Sequence, residues 1–577
     1  MRAGNAPLRK IPDTVAIAPS DRIRVTPPPM KKTPVVPIAL TAVAAVAAIG
    51  AVAYWIVARN ARLALVPAGS ETIPQAAIAT VSISSDPDEW QQLRQYGTPE
   101  SQALVDDGLN QLGERLLADN GIDYRRDIAP WVGPEVTVAF FPPPEFEATP
   151  DDLPDVEDAR SSAAIVLPIE DPQEAQAVLD RPDLETWAKR SYNEIEVWEK
   201  GSGDDKQYAA VLGQKFFAIA NAAPAIESII DTYKGEDSLL DIPGYVGTWE
   251  TFQEEDDPEF VARTFFNIPE AIAVSSENSA RPLTPEQLEA VQQQGLATIV
   301  RLETEGILFR SISWLKPNSD RRFAVVNAAE GMADRLPQNT VMMMSGGNLQ
   351  RTWQDYAETA RTNPMSPLDP DWLEQALQQT VELDLEADLL SWMRGQFALA
   401  LVPTPTGVDE TFPGGIIFIV KSTDGRKARD VLEKVDEAIA KKYQFQVGEA
   451  ELQGTSVVKW TTPISGLEIV RGWLEPDLAF FSIGAPIGRT FIPKPEDSFA
   501  DTEQFIVGVP SLLEPNNGHF FLDVDRTLNS GNFPPLQLPP AQEDILEAIR
   551  SIGVTAAVAD SRTTRFDILV RLRRTSR

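Results

Sequence analysis

The sequence predicts an α+β protein in which an N-terminal single transmembrane helix is followed by two tandem homologous domains with mainly antiparallel sheets and packed helices. Three observations carry that prediction. An uncharged stretch of 24 residues runs from Val35 to Ala58, three tryptophans recur at nearly one spacing through the rest of the chain, and short strands succeed one another with little room for crossovers.

As a helix rising about 1.5 Å per residue, the uncharged stretch spans a hydrocarbon core of roughly 30 Å with some tilt. It is apolar all round, without the polar stripe of a buried globular helix. Seven basic residues precede it, Lys31 and Lys32 at its edge, and only Arg59 and Arg62 follow before the chain turns acidic. The positive-inside rule then puts the N-terminus in the cytoplasm and everything beyond Ala58 in a periplasm or a lumen. Tyr54 and Trp55, near the outer end, suit the headgroup layer. The competing reading is a cleaved signal peptide with small residues at Ala51-Val52-Ala53, but such segments carry an apolar run of only ~7–15 residues. Residues 1–32, poor in aromatics and containing Pro27-Pro28-Pro29, read as a disordered cytoplasmic tail, 33–58 as the transmembrane helix and 59–66 as a linker.

The repeat comes next. Trp90 with Trp353, Trp131 with Trp392, and Trp198 with Trp460 lie 263, 261 and 262 residues apart. Their surroundings agree: Asp127 to Gly133 corresponds to Asp388 to Gly395 with one gap, Val136 to Pro142 to Phe397 to Pro403, and Phe216 to Ile219 to Phe480 to Ile483. Leu288-Glu-Ala-Val291 and Leu546-Glu-Ala-Ile549 lie in helical stretches that end, on this reading, at Gly295 and Gly553. Each is followed by a strand pair, and in the last one Phe566, Ile568, Val570 and Leu572 share one face. Copy one is therefore placed at 67–330 and copy two at 331–577, each longer than any solenoid unit.

Within a copy, local signals alternate. Thr98-Pro99-Glu100 is an N-cap followed by proline at the first helical position, and Thr284-Pro285-Glu286-Gln287 is a capping box. Glu194 to Lys200, Tyr208 to Leu212 and Lys215 to Ala220 read as successive strands, which antiparallel pairing accommodates.

The stretch from Asp86-Pro-Asp-Glu-Trp90 through Gln92-Leu-Arg-Gln-Tyr-Gly-Thr-Pro-Glu100, with Asp119-Asn-Gly121 and Asp127 to Gly133, resembles cyanobacterial membrane proteins grouped as domain of unknown function 3352. The resemblance covers the anchor and most of the remainder. It implies a periplasmic or thylakoid-lumenal location and supplies no catalytic residue.

Composition excludes several chemistries. Residues 1–62 hold nine Lys or Arg against two acids, which leaves 42 basic and 83 acidic residues for the rest. A field of that sign repels nucleic acid. With no cysteine there are no disulfides, thiolate nucleophiles or iron–sulfur ligands. His519 is the sole histidine, no Gly-x-Ser-x-Gly elbow accompanies it, and aligning Phe265-Phe266 with Phe520-Phe521 puts Thr264 at its place in copy one. Ser-x-x-Lys occurs at Ser313 to Lys316 and Ser456 to Lys459, but in strand-like runs, where residues three apart face opposite ways. The acidic runs Asp151-Asp152 with Asp155, Glu157 and Asp158, and Glu254 to Asp257 with Glu259, supply oxygens suited to calcium, the one cofactor considered; no EF-hand spacing supports it. No catalytic, cofactor-binding or metal-binding residue is assigned. Paired tryptophans read as core, and Arg571, Arg573, Arg574 and Arg577 as a small docking site or the exposed face of a last strand.

The expectation is thus a membrane-anchored extracytoplasmic protein, a non-enzymatic interaction or assembly module whose partners are the membrane, through Val35 to Ala58, and other membrane or lumenal proteins. Its rivals are an envelope hydrolase using carboxylates or an isolated serine, and a lumenal carrier of a hydrophobic small molecule.

Overall fold

The computed structural model describes residues 65–104, 124–142, 162–179, 187–202, 206–254, 260–277, 282–289, 291–329, 331–360, 369–407, 411–443, 445–528 and 540–575, all within one compact unit, Ala61–Arg577. The stretch Val35 to Ala58 lies outside them, and no helix among the described residues is long and apolar enough to cross a membrane.

Mixed helices accompany one large antiparallel sheet. Its first ten strands are β1 (Ala79–Ser84), β2 (Glu135–Phe141), β3 (Ser162–Pro168), β4 (Ala188–Tyr192), β5 (Ile195–Lys200), β6 (Gln207–Leu212), β7 (Phe216–Ala220), β8 (Ala262–Asn267), β9 (Gln293–Glu303) and β10 (Gly306–Leu315). The next ten are β11 (Met342–Gly346), β12 (Phe397–Pro403), β13 (Gly414–Lys421), β14 (Gln446–Leu452), β15 (Thr455–Thr461), β16 (Glu468–Glu475), β17 (Leu478–Gly484), β18 (Gly518–Asp523), β19 (Ile549–Val558) and β20 (Thr563–Leu572). The first set is laid out in the order β4-β5-β6-β7-β3-β2-β1-β8-β9-β10. The second repeats it as β14-β15-β16-β17-β13-β12-β11-β18-β19-β20. β10 and β20 then pair with each other from Gly306 opposite Arg571 to Trp314 opposite Thr563, so the two runs share one sheet.

The local signals are realised where they fall on described residues. Thr284 and Gln287 close the capping box, each backbone N–H donating to the other's side chain at 2.9 and 3.3 Å. The helix Ala223–Lys234 has Pro224 in its first turn and ends at Gly235, whose φ of 124° admits glycine without a Cβ clash. Its Ile226, Ile229 and Ile230 are fully buried against Val166, Ala210 and Ala218 on one face of the sheet, here called the inner face. In the second half Phe491, Phe499 and Phe521 fill the same side with Val470 and Phe480. Burying each such side chain stabilises the fold by about 1.5–3 kcal/mol. On the outer face, Trp131, Trp187, Phe217 and Ile219 cover the strands at one flank, and Trp392, Phe397, Val420 and Ala479 those at the other.

Besides moving the match of Phe216–Ile219 from Phe480–Ile483 to Leu478–Phe481, following the registers strand by strand corrects three readings of the sequence. Trp131 and Trp392 are counterparts, each buried beside a short helical turn, but the tight turns Asn193-Glu194 and Gln453-Gly454 align the third pair differently. Trp198 corresponds to Val458, and Trp460 lies two residues farther along the same face; the connection from Trp460 to Ile469, two residues longer than that from Lys200 to Gln207, absorbs the shift. Gly295 and Gly553 end no helix. They sit inside β9 and β19, where a Cβ would meet the Trp314 ring at 2.6 Å and the Gly508 carbonyl oxygen at 1.8 Å, so close packing explains them. The third correction concerns His519. The Asn267 N–H donates to the Ile78 carbonyl and the Asp523 N–H to that of Val341, which makes Phe265 the counterpart of Phe521 and Arg263, rather than Thr264, that of His519.

That last equivalence exposes a shared device. Arg263 and Glu135 form a buried two-pronged ion pair, with Nε 2.7 Å from Oε1. Arg263 also donates to the carbonyls of Leu65 at 2.9 Å and Val66 at 3.1 Å, while Glu135 accepts from the Ala68 N–H at 2.9 Å. The incoming segment is thereby clamped to the sheet. In the second half Gln396 occupies the place of Glu135 and donates to the Ala328 carbonyl, the counterpart of Leu65. One clamp is ionic and the other neutral.

Candidate functional site

The chemistry concentrates on the two faces of the central strands. On the inner face Arg310 of β10 stands directly opposite Asp567 of β20. Because Arg310 also faces Ile299, and Asp567 faces Thr555, the two residues are counterparts of one another, and the local two-fold axis relating β10 to β20 passes between them. Both are buried, 9% and 2% exposed, with Nε 3.6 Å from Oδ1. Arg565, two residues before Asp567, lies on the same face. Burial pushes the Asp567 carboxyl up from its ordinary pKa, and the guanidinium groups of Arg310 and Arg565 oppose that shift. Burial likewise pulls Arg565 down, with Asp567 opposing. The guanidinium groups of Arg310 and Arg565 thus both act on one carboxylate, whose Oδ2 is buried without a hydrogen-bond partner among the described residues.

Above this cluster lies a groove of about 740 Å³. Leu308, Arg310, Arg565 and Leu569 form its floor, and Arg301, Glu303 and the Thr304-Glu305 turn form one wall. Pro510, Leu512 and Leu513 form the other, with Leu512 63% exposed. Arg301 lies 3.9 Å from Glu303, and Arg571 donates to Glu305 at 2.9 Å, holding that carboxyl below its usual range. Guanidinium forks beside leucines suit an anionic group joined to an apolar body. A smaller hollow of about 480 Å³ is lined by Glu374, Gln378, Asp384 and Glu386 among others. Among the described residues no group of three or more His, Cys, Asp or Glu is placed to hold a metal ion.

The outer face of the same strands is apolar and only half covered. Ile307 and Phe309 of β10, Val300 and Leu302 of β9, and Phe566, Ile568 and Val570 of β20 are all partly exposed. At the margins Phe266 of β8 is 42% exposed and Met344 of β11 38%.

Comparison with known proteins adds the family. The sequence profile described as "Protein of unknown function (DUF3352)" matches residues 38–572. The chain belongs to the DUF3352 family. No curated protein matches it. Among solved structures, crystal form I of TP0453 superposes with a TM-score of 0.24 at 9% identity, covering 43% of this chain and 79% of that one. Crystal form IV gives 0.23 at 10% identity, covering 43% and 81%. Likeness of that size carries no argument about activity.

Within this DUF3352 chain the residues singled out in the sequence are dispersed. Half-buried His519 lies on β18, its Nδ1 3.1 Å from Thr555 Oγ1 and its ring edge-on to Phe505 at 5.8 Å. Since the Thr555 hydroxyl donates to the Pro510 carbonyl, Nδ1 of the neutral imidazole is the donor. The histidine therefore props the groove wall at Pro510, and burial holds its pKa down. Ser313 sits on β10, and Lys316 follows that strand; Ser456 and Lys459 share β15, where Lys459 Nζ pairs with Glu468 at 3.1 Å. The acidic run at 151–158 and the run beyond Glu254 lie outside the described residues. Arg571 is buried rather than on a free face, Arg573 pairs with Asp525, Arg574 donates to the Thr304 carbonyl at 2.8 Å, and Arg577 lies outside the described residues.

Sequence reasoning missed Arg301, Arg310 and Arg565. For Arg301 and Arg310 the signal was present: each interrupts an otherwise apolar alternation in a long strand, and a cation in such a run needs a compensating partner; Arg565, on the polar side of its strand, gave none.

Proposed function

We propose that the protein is a membrane-tethered, extracytoplasmic, non-enzymatic interaction module, held by Val35 to Ala58 in the periplasm or thylakoid lumen. On this reading 67–330 and 331–577 are two copies of one ancestral unit joined edge to edge, and the module's partners are other membrane or lumenal proteins. The single observation that supports it is the outer face of the central strands. A row of partly exposed apolar side chains, Val300, Phe309, Ile568, Val554, Phe520 and Met344, each facing the next across neighbouring strands, is characteristic of protein contact surfaces. Aromatic and methionine side chains are enriched at such contacts.

The test places a photo-crosslinking residue at Met344 or Phe309 in the full chain and irradiates intact membranes. A discrete protein adduct, absent when the same residue replaces the inner-face Ile312, is the expected result. Adducts to lipid alone, or none, would overturn the contact reading. Separately, protease added to the cytosolic side of sealed vesicles must leave Arg577 intact; its removal would overturn the placement. The carrier alternative draws support from the inner groove.

A further inference from the structure

We infer that β14, where the second half of the sheet ends, is an open edge that accepts one strand of a partner protein, an extended segment in which Lys or Arg alternates with apolar residues. The edge is a different surface from the outer-face contact, and the two readings stand or fall separately.

Backbone is the first argument. Among the described residues β14 pairs with β15 alone, and β4, at the other end of the sheet, with β5 alone. In antiparallel pairing alternate residues bond across the ladder, so the residues between them turn their N–H and C=O groups outward. No backbone group from Gln446 to Leu452 has a partner other than β15 among the described residues. The strand runs for seven residues in unbroken register, without proline or bulge. It is a regular template for one more strand.

The comparison of the two halves shows that the fold does not demand this openness. The tight turns of the two edge hairpins make Tyr192 the counterpart of Leu452, Arg190 that of Ala450 and Lys189 that of Glu449. The first half closes its edge. On the inner face Arg190 pairs with Glu199 and, at 2.6 Å, with Glu227, while Tyr192 donates to Asp231 at 2.8 Å. Glu227 and Asp231 belong to the helix Ala223–Lys234, which follows β7 and reaches across to the edge strand. An inward-turned charge held from behind by a helix blocks further pairing. In the second half the arginine is replaced by Ala450, and after β17 only the turn Gly488–Thr490 reaches Leu452. Ala450 and Leu452 pack against the core yet stay partly exposed, and a Cβ on exposed Gly448 would meet nothing within 4 Å. Apolar side chains of an incoming strand would cover them and lengthen the core by one strand.

Charge names the partner. On the outer face of β14, Glu449 and Glu451 are exposed and have neither a hydrogen bond nor an ion pair among the described residues. Val458 and Ser456 face them on β15; Lys459 stands opposite Gly448 on the inner face and is held by Glu468 at 3.1 Å. In the first half the position of Glu449 is Lys189, answered by Glu196 at 2.9 Å. Two unanswered carboxylates on one face of an edge repel a second β14 and favour cations at the facing positions of a different strand.

The experiment follows the fluorescence anisotropy of a fluorescein-labelled, alternating Lys-Val heptapeptide titrated with the full chain in phosphatidylcholine nanodiscs, with empty discs as the blank. The expected result is one saturable site per chain, weakened about tenfold or more by Glu449→Lys with Glu451→Lys, which turns two attractive cross-strand pairs into repulsive ones. That variant keeps the wild-type melting temperature and gains a site for the alternating Glu-Val heptapeptide. Glu170→Lys with Glu174→Lys, the same change of charge on exposed residues of the first half, leaves the affinity unchanged. The Lys-Val peptide N-methylated at every amide keeps its charge, loses its donors and binds about tenfold more weakly or less. Equal losses in the two double variants, or undiminished binding of the N-methylated peptide, would show adhesion to an acidic protein and overturn the inference. Affinity that falls as the protein is concentrated would put a second copy on the edge and overturn it too, as would the absence of a saturable site. Phe309→Ser on the outer face leaves the affinity unchanged, which separates this test from that of the contact surface.

Discussion

Replacing Glu135 by Gln removes one negative charge from the clamp on the incoming segment and changes little else in shape. Arg263 would then keep its carbonyl partners, Leu65 and Val66, and its place 5.5 Å from the Trp249 ring, but its guanidinium would be buried at 8% exposure without a carboxylate. Breaking a buried ion pair from one side costs about 3–5 kcal/mol, because the remaining charge is stranded away from water. The second half indicates the remedy. Its counterpart positions hold Gln396 and His519, a neutral solution in the same framework. The double variant Glu135→Gln with Arg263→His should therefore recover about 2 kcal/mol of the single loss, within the range of coupling between contacting residues. The assay is urea unfolding of the full chain in nanodiscs followed by tryptophan fluorescence, which Trp249 reports locally. A single-variant loss below about 1 kcal/mol, or a double variant less stable than the single, would refute the claim that the clamp is an electrostatic unit with a neutral equivalent.

The two buried tryptophans should answer substitution unequally. Trp131 donates to the Asp127 carbonyl, whereas Trp392 Nε1 has no partner among the described residues, so Trp131→Phe should cost about 1–2 kcal/mol more than Trp392→Phe in the same unfolding measurement; equal losses would count against the hydrogen bond. Gly553→Ala should lower stability by about 3 kcal/mol or more, since the added methyl meets the Gly508 carbonyl, and an unchanged melting temperature would refute that packing. For His519, burial favours the neutral ring, so its folded pKa lies below the unfolded value of about 6.5. Its contribution to stability is complete above that value and is lost as pH falls through the depressed folded pKa. Melting temperatures of wild type and His519→Gln should run parallel above about pH 7 and converge on acidification, as the wild type loses more; parallel curves down to pH 5 would contradict the assignment.

Much of the fold was legible because its signals are local. Capping boxes, turn residues and period-two alternation report on neighbouring residues, and strands expected at 194–200, 208–212 and 215–220 begin within one residue of those found. What failed did so where the deciding contact is distant. Gly553 resembles a helix terminator in sequence, and only the approach of Gly508 reveals why no side chain fits. Trp460 keeps the expected spacing from Trp198 yet stands elsewhere in the sheet, because spacing counts residues while register counts pleats. Alternation in β20 correctly groups Phe566, Ile568, Val570 and Leu572 on one face, but it says nothing about which face is covered. The more polar side, with Asp567 and Arg571, is the one buried. The groove was invisible for the same reason: its floor joins β10 to β20, strands separated by most of a repeat, and no local pattern links them.

The Arg310–Asp567 pair has a consequence for how such a sheet arises. A residue on a symmetry axis meets its own image, so in an assembly of two identical chains this spot would set arginine against arginine or aspartate against aspartate. Opposite signs become available only once a single polypeptide carries both positions and each mutates alone. Liberating the stretch 331–577 as a separate chain and letting it self-associate through β20 would confront two buried aspartates across the seam. The seam is thus a one-way step, comfortable inside the continuous chain and self-repelling outside it.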